Sequence, residues 1–143
     1  MPLLDLILLA TCEGVKQISV PEDNEWHFRV KCTHCNEPFE HTIYFRDSDK
    51  VEHKTEVCNR CRHSAFANFV AKCKGCKRVS CISTHKETPR VVQVPENGRA
   101  KGILGVFDCR GLEIIGFEPG NTLSAVINSG KSYENIDVRY YAA

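Results

Sequence analysis

A chain of 143 residues can bury one hydrophobic core but hardly two, so a single domain spanning residues 1–143 is expected. With 19 Lys and Arg against 18 Asp and Glu, the net charge of +1 excludes a protein drawn to nucleic acid or anionic membrane by its overall field. Nine cysteines, an odd number with six of them in C-x-x-C pairs, do not suit a secreted disulfide scaffold and point to metal in a reducing compartment.

The first element in chain order is the apolar run of "MPLLDLILLATCEG". It carries Asp5 where a signal peptide has positive charge and lacks a small-x-small cleavage site, so it reads as a strand. No stretch approaches the roughly 18 apolar residues of a membrane span, and a cytoplasmic protein is expected. "WHFRVK", residues 26–31, alternates: Trp26, Phe28 and Val30 face one way, His27, Arg29 and Lys31 the other. That half-buried strand enters the first pair, Cys32 and Cys35. "HTIYFR", residues 41–46, is β-branched and aromatic and reads as its returning partner. Residues 46–57, "RDSDKVEHKTEV", are polar and read as a long surface loop leading to the second pair, Cys58 and Cys61. "AFANFVAKC" enters the third pair, Cys73 and Cys76, and "RVSCIST" leaves it. Asn97-Gly98 in "RVVQVPENGRAKGILGVFDC" stands between two apolar runs and readily supplies positive φ, which predicts a hairpin. Short strands follow at "LEIIGF" and "ENIDVRYY", with turns at "FEPGNT" and "NSGKS". No segment sustains an apolar stripe of helical period. The expected fold is mainly β, as two packed sheets or a pseudo-barrel.

Six thiols in pairs exceed the four that one tetrahedral zinc takes. The first pair could join the second across 22 residues, the second the third across 11, or the first the third across 37. Loop length cannot choose, since each doubling costs only about 0.6 kcal/mol. Flanking structure can. The first and third pairs lie between strand-like runs that fix their direction before metal arrives, whereas the second follows a charged loop. The favoured set is Cys32, Cys35, Cys73 and Cys76, holding one Zn2+. Four thiolates close the shell and leave no place for water, so the site is structural rather than catalytic. No Ser-His-Asp, H-E-x-x-H or glycine-rich phosphate motif is present, and no enzyme is expected.

The segments "LDLILLATCEGV", "WHFRVKCTHC", "FVAKCKGCKR", "FDCRGLE" with the following "GFEP", and "SGKSYENIDV" resemble the eukaryotic CXXC-motif-containing zinc-binding proteins, a family of small, mainly-β intracellular proteins. The likeness covers most of the chain outside residues 46–62, and "CRGLE" followed by Phe-x-Pro and "SG" is its distinctive part. It implies two C-x-x-C pairs, which map to Cys32, Cys35, Cys73 and Cys76. "CNRC" departs from that pattern. Cys58 and Cys61 therefore have three readings: solvent-facing thiols of a variable loop, half of a second zinc site with His53 and His63, or a redox or metal-transfer dithiol activated by Arg60 and Arg62.

His34, between two ligands, is expected to be exposed and non-ligating. His27 and His41 lie where a hydrogen bond to the site can be imagined. Cys12, Cys81 and Cys109 read as core packing, and Arg110 with Glu113 as an ion pair clamping the turn at Gly111. From Cys58 to Arg90 there are eight Lys and Arg against one acid, Glu87. Of these, Lys72, Lys74, Lys77 and Arg78 would offset the roughly −2 charge of a zinc tetrathiolate. The functional reading is a monomeric zinc-binding module that engages a protein partner. The rivals are a metal-transfer or redox protein and a nucleic-acid-binding zinc ribbon; near-neutral charge and the lack of aromatics among the bases count against the last.

Overall fold

The computed structural model describes residues 3–53, 65–118 and 123–136. In chain order its strands are β1 (Leu3–Thr11), β2 (Val15–Ser19), β3 (Glu25–Cys32), β4 (Ile43–Arg46), β5 (Val51–His53), β6 (Ala65–Ala67) and β7 (Phe69–Lys72). They continue with β8 (Val79–Thr84), β9 (Val91–Gln93), β10 (Arg99–Arg110), β11 (Leu112–Phe117), β12 (Leu123–Ile127) and β13 (Ser132–Ile136). No helix occurs among the described residues.

β3 shows how alternation becomes architecture. Trp26, Phe28, Val30 and Cys32 form one inward row, each no more than 1% exposed, while Arg29 between them is open to solvent. β4 returns beside it with Phe28 opposite Ile43, as the sequence predicts, and β11 pairs on the other flank with Leu112 opposite Cys32. A four-stranded sheet runs β1-β10-β8-β7, a second runs β13-β12-β2-β9, and β5-β6 form a small ribbon. All the ladders among the described residues are antiparallel. The mainly-β expectation holds: the described strands are divided among four sheets, and among the described residues these close no barrel. One apolar cluster joins the three larger sheets: Trp26 and Phe28 from the β3 sheet, Leu104 and Phe107 from β10, Ile18 and Val92 from β2 and β9. Phe107 stands edge-on to both Trp26 and Phe28, with ring centres 4.9 and 5.0 Å apart, the geometry that the aromatic quadrupole favours.

Two expectations need correction. Asn97-Gly98 does turn the chain: Gly98 has φ of +76° and its N–H donates to the Pro95 carbonyl at 2.9 Å. The strands on either side nevertheless do not pair with each other. β10 lies against β1 from Leu3 opposite Asp108 to Thr11 opposite Arg99, while the three-residue β9 joins β2. The long Leu-rich β1 offers β10 a ladder and an apolar face that β9 cannot match. Of the expected surface loop at 46–57, residues 54–57 lie outside the described residues, and 46–53 are not simply loop. Residues 51–53 form β5, and Asp47 is pinned inward, accepting the Trp26 indole N–H at 2.8 Å and Arg90 at 2.6 Å. Asn68 holds the same segment by donating to the Asp47 and Asp49 carbonyls, and its own oxygen accepts the Thr84 N–H. Polar composition resembled exposure, but a buried indole donor needs an acceptor and this segment supplies it.

Candidate metal centre

Cys32 is the last member of the inward row of β3, so the periodicity that builds the core also carries one sulfur to the end of the strand. The chain then reverses within the first pair: the Asn36 N–H donates to the Cys32 carbonyl and the Cys32 N–H to the Glu37 carbonyl, both at 2.9 Å. The third pair repeats this plan after β7. The Lys77 N–H donates to the Cys73 carbonyl and the Cys73 N–H to the Arg78 carbonyl, again at 2.9 Å. In both turns the residue after the second cysteine is left-handed, Asn36 at φ +62° and Lys77 at +66°. Asn adopts that conformation readily and Lys less so.

The two turns face each other. Cys32 Sγ lies 3.6 Å from Cys76 Sγ, Cys35 Sγ lies 3.6 Å from Cys73 Sγ, and all four sulfurs fall within 4.8 Å of one another. Zinc–sulfur bonds of about 2.3 Å in a tetrahedron put sulfurs roughly 3.8 Å apart, whereas a disulfide needs about 2.05 Å. The spacing fits four ligands around one ion, and these cysteines are free of disulfides. As thiols they could not ionise independently. Burial opposes the Cys32 thiolate, but the N–H groups of Cys35 and His34 and the Cys76 thiol bring its pKa down to about 7. The Glu37 N–H favours a Cys35 thiolate, yet burial and the sulfurs of Cys73, Cys32 and Cys76 outweigh it and push that pKa up to about 12. The Arg78 N–H acts similarly on Cys76, and burial with the Cys32 and Cys73 sulfurs raises its pKa overall. Four soft donors that disfavour each other's negative charge suit a thiophilic dication.

The "CRGLE" stretch has a physical role here. Gly111, at φ +80°, turns β10 into β11, and its carbonyl accepts the Thr33 N–H inside the first pair at 3.2 Å. Its Cα faces Ser80 on β8, beside the strand that leads into the third pair, so that an added Cβ would lie 3.0 Å from Ser80 Cβ. Gly111→Ala is expected to cost about 1–3 kcal/mol through the left-handed backbone. It should lower the melting temperature and speed zinc release to a chromogenic chelator; an unchanged rate would dissociate this turn from the centre.

Other predicted residues distribute differently. His34 is exposed and stands outside the cluster. His27 pairs with Glu25 at 2.8 Å and His41 approaches Glu40 at 4.0 Å, so the ion-pair partner of each histidine is a carboxylate. Cys81 and Cys109 are buried and Cys12 is half-buried, with burial, aided by Asp108 and Cys81, pushing the Cys109 thiol up to about 12. Arg110 and Glu113 do not clamp each other. Arg110 reaches Asp108, two residues away on the same face of β10, at 3.6 Å, and Glu113 reaches Lys31 across the ladder at 3.5 Å. Of the bases near the third pair, Lys74 meets Glu40 at 3.4 Å, and Lys72, Lys77 and Arg78 are exposed. Cys58, Cys61 and His63 lie outside the described residues. Beside the cluster, a cleft of about 320 Å³ opens between the segment after the first pair and β7, with Phe39, Ile43 and Ala71 in its lining and Glu37, His41 and Lys72 also bordering it. Sequence reasoning missed that cleft and the Thr33–Gly111 contact; the residue following each second cysteine was the signal for the matched turns.

Four cysteines on two matching turns, held at the ends of antiparallel strands, define an all-β protein of the C-x-x-C metal-site class. The chain belongs to the eukaryotic family "CXXC motif containing zinc binding protein", whose model matches residues 5–141. The protein of that name from Bos taurus is 32% identical over 138 residues, covering 95% of this chain and 81% of the relative. The Homo sapiens protein of the same name is 31% identical over 136 residues, covering 94% and 80%. The solved crystal structure of C1orf123 superposes with a TM-score of 0.73 at 31% identity, covering 92% of this chain and 80% of that one. A hypothetical protein from Plasmodium falciparum, at 23% identity and a TM-score of 0.73, shares the fold. Among the described residues no helix is long and apolar enough to cross a membrane.

Proposed function

We propose that Cys32, Cys35, Cys73 and Cys76 hold one structural Zn2+ and that the protein acts in the cytoplasm as a module that binds another protein without catalysing a reaction. The observation that supports this reading is the mutual approach of all four sulfurs within 4.8 Å, enough donors to complete a tetrahedral shell. A complete shell offers a substrate no open coordination position, so the ion's contribution is to fasten two turns. The cleft alongside the third pair, apolar within and bordered by charge, is the kind of surface that takes a peptide side chain.

Elemental analysis of protein purified without chelator tests the metal assignment. One zinc per chain is expected, unchanged in Cys58→Ser/Cys61→Ser; two falling to one would place a second ion at the middle pair. A second reading, metal exchange, is favoured by one observation: Cys35 is exposed and Cys76 half-buried, while Cys32 and Cys73 are buried. Zinc that passes to a competing chelator while the protein stays folded would support exchange over a purely structural role.

A further inference from the structure

β1 is the longest edge strand among the described residues, and there it pairs with β10 alone. Its register steps from Leu6 opposite Gly105 to Ile7 opposite Ile103, so the bulged residue, Leu104, belongs to β10 and β1 itself runs regular. Edges that must stay single are usually blunted by charged side chains, above all lysine, by proline or by a bulge of their own; β1 carries the single charge of Asp5 and no lysine, proline or bulge. Leu4, Leu6, Leu8 and Ala10 pack on the core from its inner face. On the other face Leu3, Ile7 and Leu9 are 50%, 51% and 71% exposed, with the half-buried Ile103 of β10 opposite Ile7 and Val106 opposite Asp5.

The charges framing this surface are ordered along the strand. Asp5 lies toward the start of β1, whereas Lys101, opposite Leu9, and Arg99, opposite Thr11, lie toward its end. All three are exposed. A parallel copy would set acid beside acid. An antiparallel copy related by a two-fold axis at Ile7 would set Ile7 against the partner's Ile7, with Asp5 opposite the partner's Leu9 and one strand away from the partner's Lys101. Strands stand about 4.8 Å apart, so Asp5 and that lysine would be separated by about 10 Å of backbone, a span their side chains can close over the leucine.

We infer that the outer edge of β1 binds β1 of a second copy of this chain, antiparallel, in place of the monomer expected from the sequence. The edge N–H and C=O groups supply the ladder, Leu3, Ile7 and Leu9 supply the apolar contact, and the acidic and basic ends fix the direction. One strand against one strand covers less than the roughly 800 Å² per partner of a standard interface, so the dimer should dissociate on dilution.

Sedimentation equilibrium of the zinc-loaded full chain over a wide concentration range tests this. A monomer–dimer equilibrium is expected. Ile7→Lys, which places like charges face to face on the axis, should weaken it about ten-fold or more. Asp5→Lys and Lys101→Asp should each weaken it, and the double variant should recover it, because the swap restores opposite signs across the axis. Zinc content and melting temperature report that each variant is folded, and the charge variants sit at exposed positions. A wild-type chain that stays monomeric throughout overturns the proposal. So does a dimer indifferent to Ile7→Lys, or a double variant weaker than both single ones.

Discussion

Cys73→Ser is expected to lose its zinc and to melt far below the parent protein. A serine hydroxyl is a poor ligand for zinc at neutral pH, and its loss leaves three sulfurs where four lie within 4.8 Å of one another. Structural zinc sites in small modules are worth on the order of 10–16 kcal/mol, against about 5–15 kcal/mol for the whole stability of a domain. Metal binding and folding are therefore nearly the same equilibrium, and prolonged chelation should reproduce the variant's behaviour. Acid should act in the same direction, because each thiol must release a proton to bind. The matched control is Cys109→Ser, since Cys109 is a buried core cysteine that is not one of the four clustered residues; it should retain its zinc. Equal metal content and equal melting for Cys73→Ser and the parent would refute the assignment.

Trp26→Ala carries the second large effect, without touching the metal. The side chain is fully buried, lies edge-on to Phe107 at 4.9 Å, and donates its indole N–H to Asp47. Truncating a buried aromatic typically costs about 3–5 kcal/mol, to which the loss of the indole donor to Asp47 Oδ1 adds, while Arg90 still pairs with Oδ2. Trp26→Phe should cost less, since it removes the hydrogen bond and part of the ring. Urea unfolding measures both. Because Trp26 and Cys32 stand at opposite ends of β3, the alanine variant should still bind one zinc per chain under native conditions. Loss of metal from it in parallel with stability would show that the β3 row transmits damage along its length.

What could be read from the sequence was whatever depends on local period. The alternation of Trp26, Phe28 and Val30 specified both the strand and its buried face, and the strands flanking the first and third pairs singled out the four cysteines that converge. What could not be read depends on competition between distant segments. Asn97-Gly98 has the chemistry of a hairpin turn, yet β10 is taken by β1 from the far end of the chain, an outcome that no window around the turn contains. Asp47 was misjudged for a similar reason: its partners Trp26 and Arg90 lie well away from it in sequence, and only their burial makes the carboxylate structural. Arg110 and Glu113 look like a pair by spacing, but strand geometry sends one along its own face and the other across the ladder.

The pairing of β1 with β10 also sets the timing of assembly. Leu3 finds Asp108 and β11 finds β3 only after most of the chain has been synthesised, so early strands wait long for their neighbours. Proteins dominated by such remote contacts fold slowly, because chain entropy is lost before the contacts reward it. During that wait the leucines of β1 are bare on the nascent polypeptide, and a transiently exposed apolar strand of this kind is a hazard for aggregation until β10 covers it.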